Sequence, residues 1–590
     1  MMSDNPKPFD SKAFVAFGVL LALVLLLPIY WEYIGYTPSP KPPVAGADST
    51  QTTPPTPVSK KSDVITNDTT NYSAPSDSLS GGFMVPSEWN ERFISVSTPR
   101  YEAIFSTRGA RLVNLVLKEF EYTDAARDGK PIVLLDSIDA TDGIGPRFRF
   151  ASDKINLAQA AFDSRGLSLT LAETDSSSIE LIAYTPAGGI WQITYTFHGD
   201  RYDFGTRIRV DEPWKDGVER ELSYGWAGGL WPTEPDVDGD NGDFAAMALM
   251  GEKDLEKIGS VDREQPVVSF TGETKWAAVR TKYFVCATIP RSHEGEGFRV
   301  ESKERPFSFA GQKHTIKVFS AFVVTQLRAG EPIDQTFSTY MGPIAYDQLK
   351  SYKLGLEEIV DLGWRWIVRP FSLVLLWLFQ TLYSLFSNYG IVIVVFALII
   401  KAIFHPLTKK QVLSMRKMQQ MAPKMEKLKE RFKSDPTRMN QEMMKMYKEA
   451  GINPLSGCLP LLPQMPIFYA LFQVFQTSIE LRGADFMGWI TDLSQKDPYY
   501  ILPIIMTVSM FVQQKLSATD PKQKMLLYLM PLIFGFMFRN FPAGLTLYWT
   551  MFNIFSIIEQ VWLIGHPSSG ETVSSDGEVG TGKILNTKSA

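Results

Sequence analysis

The sequence predicts a polytopic α-helical membrane protein with six spans and a large exported all-β domain. Apolar runs of spanning length crowd the region after residue 365, and one more lies near the N-terminus. Between them, a charge-mixed stretch alternates polar and apolar residues with the two-residue period of strands. With 590 residues the chain can hold several domains, and its formal net charge of −5 gives no argument for nucleic-acid binding.

The first apolar run, residues 13–35, favours a retained membrane anchor over a cleaved signal peptide. It has roughly twenty apolar residues, Trp31 and Tyr33 mark an interface at its end, and no small-x-small cleavage site follows directly. Lys7 and Lys12 precede the run, and no basic residue lies just after it. The positive-inside rule therefore places the N-terminus in the cytoplasm and the following domain outside.

Residues 36–90 are rich in Pro, Ser, Thr and Asp, which predicts a flexible linker. Residues 91–343 follow with strand-like runs such as IWQITYTFHG and YDFGTRIRVDE, separated by Gly, Asp and Pro clusters. This pattern is typical of a large antiparallel sandwich. We find no P-loop, GxSxG or HExxH motif and no metal-ligand spacing, so we expect a domain that binds or braces, and no enzyme, cofactor or metal.

The segment 364–386 is long enough to cross the membrane, but the charge distribution argues against it. If it crossed, the basic segment 409–448 would lie outside the cell, against the positive-inside rule. We therefore predict an amphipathic helix on the outer membrane face. Its interface anchors are Trp364, Trp366, Arg369 and Trp377.

Five further apolar runs complete the predicted spans, at 389–407, 457–480, 499–514, 525–539 and 544–565. The predicted order is a cytoplasmic N-terminus (1–12), first anchor (13–35), linker (36–90), exported domain (91–343), connecting and interfacial helices (344–388), second span (389–407), basic Met-rich hairpin (408–452), spans three to six (453–565) and cytoplasmic tail (566–590).

Helix-forming residues dominate the hairpin, and SDP at 434–436 supplies a stop and a proline restart. Its methionines recur at spacings of three and four residues, which makes one apolar stripe. The stripe members are Met415, Met418, Met421 and Met425. They either hold the two arms together or offer an adaptable surface to apolar segments of many sequences.

Lys401 lies inside the second span, roughly 12 Å of helix rise from Lys409. It either snorkels to the cytoplasmic surface or faces a water-filled cavity inside the protein. Its candidate polar neighbours in such a cavity are Gln464, Gln513 and Asn553.

Four motifs occur in succession: NYGIVIVVFALIIKAIFHPLTKKQ, INPLSGCLPLLPQMPIFYALF, DPYYILPI and FPAGLTLYWTMFNI. Their combination resembles the YidC-type bacterial membrane protein insertases of the YidC/Oxa/Alb family, closely over residues 345–565 and loosely over the exported domain. The resemblance implies a five-helix insertase core around a hydrophilic groove, which opens to the cytoplasm and to lipid and is closed outside. It also implies a β-supersandwich fold for the exported domain.

The resemblance also implies which residues form the groove. In the family an arginine of the second span carries the groove charge, and Lys401 matches it. Ala397 matches a groove threonine, and Trp549 matches a substrate-contacting tyrosine, with Tyr548 beside it. The predicted groove residues are Lys401, Ala397, Gln464, Gln513, Tyr548, Trp549 and Asn553, and the predicted hairpin contacts with client or ribosome are Met415, Met418, Met425, Lys409 and Lys410.

We therefore predict an insertase and chaperone of the bacterial inner membrane, which inserts and helps to fold nascent membrane proteins, alone or with the Sec translocon. The expected partners are these client proteins, the Sec translocon, the lipid bilayer and, weakly, the ribosome through the basic hairpin, with no small-molecule substrate. The tail 566–590 is not basic and is a poor electrostatic match for ribosomal RNA. We therefore expect any ribosome contact to be made mainly by the basic hairpin. A secondary transporter with an intramembrane charged site is the alternative, although no inverted repeat is visible, and a purely structural scaffold is a third possibility.

Overall fold

The structure is a computed structural model. It describes residues 75–80, 83–86, 89–124, 126–127, 129–136, 142–149, 157–164, 168–185, 189–211, 220–328, 331–433, 435–449, 461–517 and 524–565. The chain divides into two compact units between Ile359 and Val360, here called the β unit and the helical unit. The predicted anchor 13–35, most of the predicted linker 36–90 and the tail 566–590 lie outside the described residues.

The β unit contains twenty strands within its described ranges. Strands β1 to β20 are, in order, Pro75–Ser80, Phe83–Pro86, Phe93–Ser97, Tyr101–Ser106, Arg111–Glu121, Pro131–Asp136, Gly143–Arg149, Asp163–Ser164, Leu169–Thr170, Ser176–Tyr184, Ile190–His198, Asp203–Val210, Arg220–Ala227, Ala245–Met250, Asp254–Ile258, Val267–Arg280, Phe284–Pro290, Gly295–Phe309, Gln312–Leu327 and Ile333–Pro343. Two short α-helices accompany them, α1 (Val237–Asp243) and α2 (Tyr346–Ser351).

Antiparallel pairing dominates this unit, as the sequence predicts. Strand β12 pairs with β11 on one side and β20 on the other, and β13 lies between β7 and β19. Only β3 and β9 pair in parallel among the described strands. Strand β11 buries alternate residues, whereas β14 and β20 are buried along most of their length. A strand covered on both faces needs no alternation of polar and apolar residues. The two-residue period therefore predicts β11 but not β14 or β20.

The segment predicted to connect the two domains packs into the β unit. Trp276 Nε1 donates to the carbonyl of Leu354 (3.2 Å), and Arg280 Nη1 donates to the carbonyl of Ile359 (2.7 Å). Leu349 of α2 is fully buried. The segment that follows β20 is therefore part of the β unit as far as Ile359.

Seven helices form the described part of the helical unit. They are α3 (Val368–Phe386), α4 (Tyr389–Arg431), α5 (Pro436–Glu449), α6 (Leu461–Thr477), α7 (Ile501–Ser517), α8 (Lys524–Phe538) and α9 (Ala543–Gly565). Two described helices, α3 and the Tyr389–Leu428 part of α4, are long and apolar enough to cross a membrane. Length and composition of the described residues thus do not confirm the predicted count of six spans.

Helix α3 has two apolar faces. Leu375 and Phe379 lie on the buried face, where the Phe379 ring packs on that of Phe475 at 5.6 Å. Val374 and Trp377 lie on the exposed face. Such a helix suits contact with protein on one side and lipid on the other, and its composition does not distinguish crossing the membrane from lying on it.

The predicted second span and the first arm of the predicted hairpin are one continuous helix, α4. It contains Pro406 and Pro423 and ends at Arg431. The second arm, α5, begins at Pro436, and Asp435 Oδ1 accepts the backbone N–H of Arg438 (3.0 Å) as an N-terminal cap. One helix thus ends and the next begins on either side of the predicted SDP turn, and the backbone stays helical through residue 407, the predicted end of the second span.

The segment 478–500 joins the N-terminal ends of three helices. Asn388 Nδ2, at the start of α4, donates to the carbonyl of Asp485 (3.3 Å). Asp497 Oδ2 accepts the backbone N–H of the second residue of α7 (2.7 Å). The N–H of Ala543, which begins α9, donates to the carbonyl of Gln495 (2.6 Å). This segment therefore closes the bundle at the end opposite the hairpin.

Candidate functional site

Helix α9 carries a buried polar face in an otherwise apolar sequence. Its members recur every three or four residues, so they share one side of the helix. They are Thr546, Thr550, Asn553, Ser556 and Gln560, and all are buried. The hydroxyls of Thr550 and Ser556 each donate to the carbonyl four residues earlier (2.7 Å). These groups give the bundle a polar seam.

Lys401 of α4 points at this seam. The residue is 7% exposed, and its Nζ donates to Ser556 Oγ at 2.9 Å. Nζ also lies 2.7 Å from Glu559 Oε2, an ion pair whose angles are outside those of a hydrogen bond. The ring of Phe552 lies 5.1 Å from Nζ, within reach of a cation–π contact.

Glu559 joins Lys401 to a second residue of α4. Its Oε1 lies 2.5 Å from Nδ1 of His405, one helical turn beyond Lys401. The side chains of Lys401 and Glu559 are each 9% exposed, whereas that of His405 is 42% exposed. We call Lys401, His405, Ser556 and Glu559 the charge cluster. Because ions removed from water are costly unless paired, the cluster couples α4 tightly to α9.

The predicted groove residues are enclosed to different degrees. Besides Lys401, the buried ones are Ala397, Tyr548 and Asn553. The half-buried ones are Gln464, Gln513 and Trp549. Asn553 Nδ2 donates to Ser509 Oγ of α7 (3.4 Å). In the described part of the bundle, Lys401 is hydrogen-bonded to Ser556 and to none of its three predicted polar neighbours.

Trp549 offers an unused donor. Its indole Nε1 is buried and has no hydrogen-bond partner among the described residues. Its ring packs against Phe468 of α6 at 5.0 Å and Phe538 of α8 at 5.9 Å. An indole N–H usually finds an acceptor when buried, so Trp549 lacks a contact that such a residue normally has.

Comparison with known proteins shows which family the chain belongs to. Residues 381–568 match the family described as 60Kd inner membrane protein, and residues 93–374 match the YidC periplasmic domain. The membrane protein insertase YidC of Syntrophus aciditrophicus (strain SB) is 34% identical, over 94% of this chain and 99% of that protein. The chain belongs to the YidC family of membrane protein insertases. It is thus an inner-membrane protein with a periplasmic β-sandwich domain and a helical C-terminal region, as the resemblance implies.

Other YidC proteins are similar at comparable distance. Membrane protein insertase YidC of Chlorobium luteolum (strain DSM 273 / BCRC 81028 / 2530) is 31% identical, over 93% of this chain and 95% of that protein. The crystal structure of an active YidC insertase, with its first transmembrane domain resolved, is 21% identical with a TM-score of 0.35, covering 80% of this chain and 92% of that one. Members are named as insertases, in agreement with the prediction that the protein is not an enzyme.

In this YidC-family chain the hairpin methionines differ in their surroundings. Met425 is buried, and its Sδ accepts a hydrogen bond from Tyr447 Oη of α5 (3.0 Å). Met415 and Met418 are half-buried on the same arm. Lys409 and Lys410 are exposed. Met425 thus joins the two arms, while Met415 and Met418 keep surface for other contacts.

Sequence reasoning missed Glu559 and Ser556. A signal was present, because Glu559 is the single acidic residue between Ala543 and Gly565. An ionisable residue inside a span calls for a partner, and Lys401 is the matching cation. Pairing them required knowing the rotation of two helices that are far apart in sequence.

Proposed function

We propose that this YidC-family protein inserts nascent inner-membrane proteins by receiving their polar exported segments at a hydrophilic groove between α4, α6, α7 and α9. It also helps these clients to fold, alone or with the Sec translocon. The observation that carries the proposal is a buried lysine in an apolar helix, bonded to the polar seam of α9. A buried charge of this kind is costly in lipid, and it usually marks a pathway for a substrate.

We propose six spans, formed by residues 13–35 and by α4, α6, α7, α8 and α9. The N-terminus and the hairpin are cytoplasmic, and α3 lies on the periplasmic face. The exposed Lys409 and Lys410 support this orientation, because basic residues flank spans on the cytoplasmic side. The segment 478–500 then lies outside and seals the groove there.

The groove lowers the cost of moving a polar segment across the bilayer. The seam hydroxyls, Asn553 and the unused Nε1 of Trp549 can replace water around a client's polar groups. The positive charge of Lys401 attracts acidic residues in the exported segment. The membrane potential, negative inside, adds about 2.3 kcal/mol per negative charge per 100 mV in the same direction.

The client's apolar segment then passes into lipid along the exposed faces of α7 and α8. Val508 on α7 and Leu532 and Phe536 on α8 are apolar and exposed, so these faces contact lipid tails. On the cytoplasmic side, Met415 and Met418 receive apolar client segments, and the basic hairpin makes a weak contact with the ribosome.

Site-specific crosslinking tests the groove. A photoreactive amino acid replaces Gln464 or Gln513, both half-buried at predicted groove positions. The exposed Gln312, the first residue of β19, serves as the matched control. With a ribosome-stalled client, we expect the exported segment to crosslink to positions 464 and 513 and not to 312. Absence of crosslinks at both groove positions, with the client still inserted, would overturn the groove.

A further inference from the structure

The charge on Lys401 is already balanced inside the protein. Glu559 Oε2 lies 2.7 Å from its Nζ, and both side chains are 9% exposed. Lys401 and Glu559 carry opposite charges, so the pair has no net charge. An acidic client segment that reaches the groove therefore meets an ion pair, not a vacant cation.

From this geometry we propose that Glu559 is an exchangeable counter-ion: a client carboxylate takes its place beside Lys401, and Glu559 sets how strongly acidic segments are favoured. The inference rests on the proposed function and goes beyond it, because it assigns a specificity-determining role to a residue of the last helix.

The cluster has alternative partners for both members of the pair. When Lys401 turns to a client carboxylate, Glu559 keeps His405, which lies 2.5 Å from Oε1 on the half-exposed side of the cluster. Lys401 keeps Ser556, a neutral acceptor at 2.9 Å, and the ring of Phe552. Neither charge is left without a partner during the exchange, which avoids the penalty of a lone buried ion.

The charge state of the cluster predicts an order among variants. Glu559→Gln leaves the cation unbalanced, and Lys401→Gln leaves the carboxylate unbalanced. The double variant is neutral, as is the wild type. Because Coulomb attraction is strong where water is excluded, preference for an acidic client should follow this net charge.

The experiment measures insertion of a matched client pair by the full-length protein after depletion of the native insertase. The two clients differ only in carrying Asp or Asn in the exported segment. We expect the acidic-to-neutral insertion ratio to be highest for Glu559→Gln, similar for wild type and the double variant, and lowest for Lys401→Gln, with several-fold steps. Glu449→Gln on the exposed surface of α5 makes the same charge change elsewhere and should leave the ratio at the wild-type value.

The outcomes separate this inference from the proposed function. If Lys401→Gln lowers the ratio but removing the Glu559 carboxylate changes insertion of both clients equally, Glu559 is a structural brace and the counter-ion role is wrong. If Lys401→Gln itself affects both clients equally, the groove charge fails, and the inference fails with it.

Protein level in the membrane is recorded for every variant. If Glu559→Gln does not accumulate, the comparison of Lys401→Gln with the double variant carries the same test, because no buried cation is then unpaired. An unchanged ratio between those two variants would overturn the inference.

Discussion

Arg280 of the β unit and Lys401 of the helical unit are both buried cations, but they end on different groups. Arg280 donates to the backbone carbonyls of Thr281, Ile359 and Lys282 at 2.9, 2.7 and 3.1 Å. Lys401 ends on the side chains of Ser556 and Glu559. A backbone carbonyl cannot leave without local unfolding, whereas a side chain can exchange partners by rotation. The contacts of Arg280 therefore stabilise the fold of the β unit, whereas those of Lys401 can change when another charged group arrives.

Removing Arg280, the cation that donates to backbone carbonyls, tests this comparison with the largest expected effect. Arg280→Ala strips three carbonyls of their donor, so we expect the β unit to lose about 3 kcal/mol or more of unfolding free energy. Chemical denaturation followed by tryptophan fluorescence measures it, since Trp276 packs beside the same segment. Arg207→Ala, which removes an exposed pair with Asp334, should cause no resolvable change.

Asp240 provides the anionic counterpart in the β unit. It accepts backbone N–H groups of Thr233 (2.8 Å) and Lys282 (3.1 Å), yet burial and the neighbouring Glu234 carboxylate raise its pKa to about 7. Between pH 4 and 7 the folded state keeps a proton that the unfolded state has lost. Unfolding free energy should therefore fall as pH rises, by at most about 1.4 kcal/mol per pH unit from this group.

Denaturation at several pH values between 4 and 8 measures that slope. Asp240→Asn cannot titrate, so it should flatten the dependence while lowering stability throughout, since its amide nitrogen cannot accept an N–H. Glu252→Gln, on the exposed surface, should keep the wild-type slope. A wild-type slope retained in Asp240→Asn would show that another group titrates.

In the helical unit, Asp497 is the backbone-bound anion to compare with Glu559. Its carboxylate accepts the N–H groups of Tyr499 (3.0 Å) and Leu502 (2.7 Å) and the indole N–H of Trp489 (3.1 Å). We expect Asp497→Ala to destabilise the helical unit by about 2 kcal/mol, the upper end for a lost helix cap. Thermal unfolding in detergent measures it, with the exposed Asp485→Ala as control. Equal effects of the two substitutions would contradict the capping role.

The smallest expected effect concerns the hairpin. Met425→Leu keeps the apolar contact between the arms, so it should change stability by less than about 1.5 kcal/mol. Met425→Gln buries a polar group and should loosen the hairpin more, as seen by protease cleavage between the arms. The same exchange to Gln at Met415 and Met418 should instead lower insertion without loosening the hairpin. Insertion unaffected by those two changes would remove their receiving role.

The two units also differ in how much the sequence predicts. Helices α7 and α8 lie within three residues of the predicted runs 499–514 and 525–539, because long apolar runs end at polar residues. Strand β20 was not recognised, because Gln335 and Thr339 are buried with its apolar residues. Covering both faces removes the alternation on which a strand prediction depends.

The sequence also predicts only part of the candidate site. Lys401 is recognisable alone, since a charge in an apolar run is rare. Its pairing with Glu559 depends on how α4 and α9 rotate about their axes, which local pattern does not specify. The continuity of α4 past residue 407 was also missed. The sequence changes from apolar to basic near residue 407, which indicates a change in what surrounds the helix. The helix itself continues to Arg431.

Because α4 is continuous, it can transmit a displacement from the hairpin to Lys401. The helix has 43 residues, so at 1.5 Å per residue it is about 65 Å long, and Lys401 lies about 18 Å from the end that Asn388 ties to the segment 478–500. If the helix swings as one body about that tied end, a displacement at the far tip arrives at Lys401 reduced to about a quarter. A shift of a few ångströms where the hairpin meets its partners is then a shift of about one ångström at the Lys401–Glu559 contact. A displacement of the cytoplasmic arm would in that case reach the Lys401–Glu559 contact through the helix backbone itself.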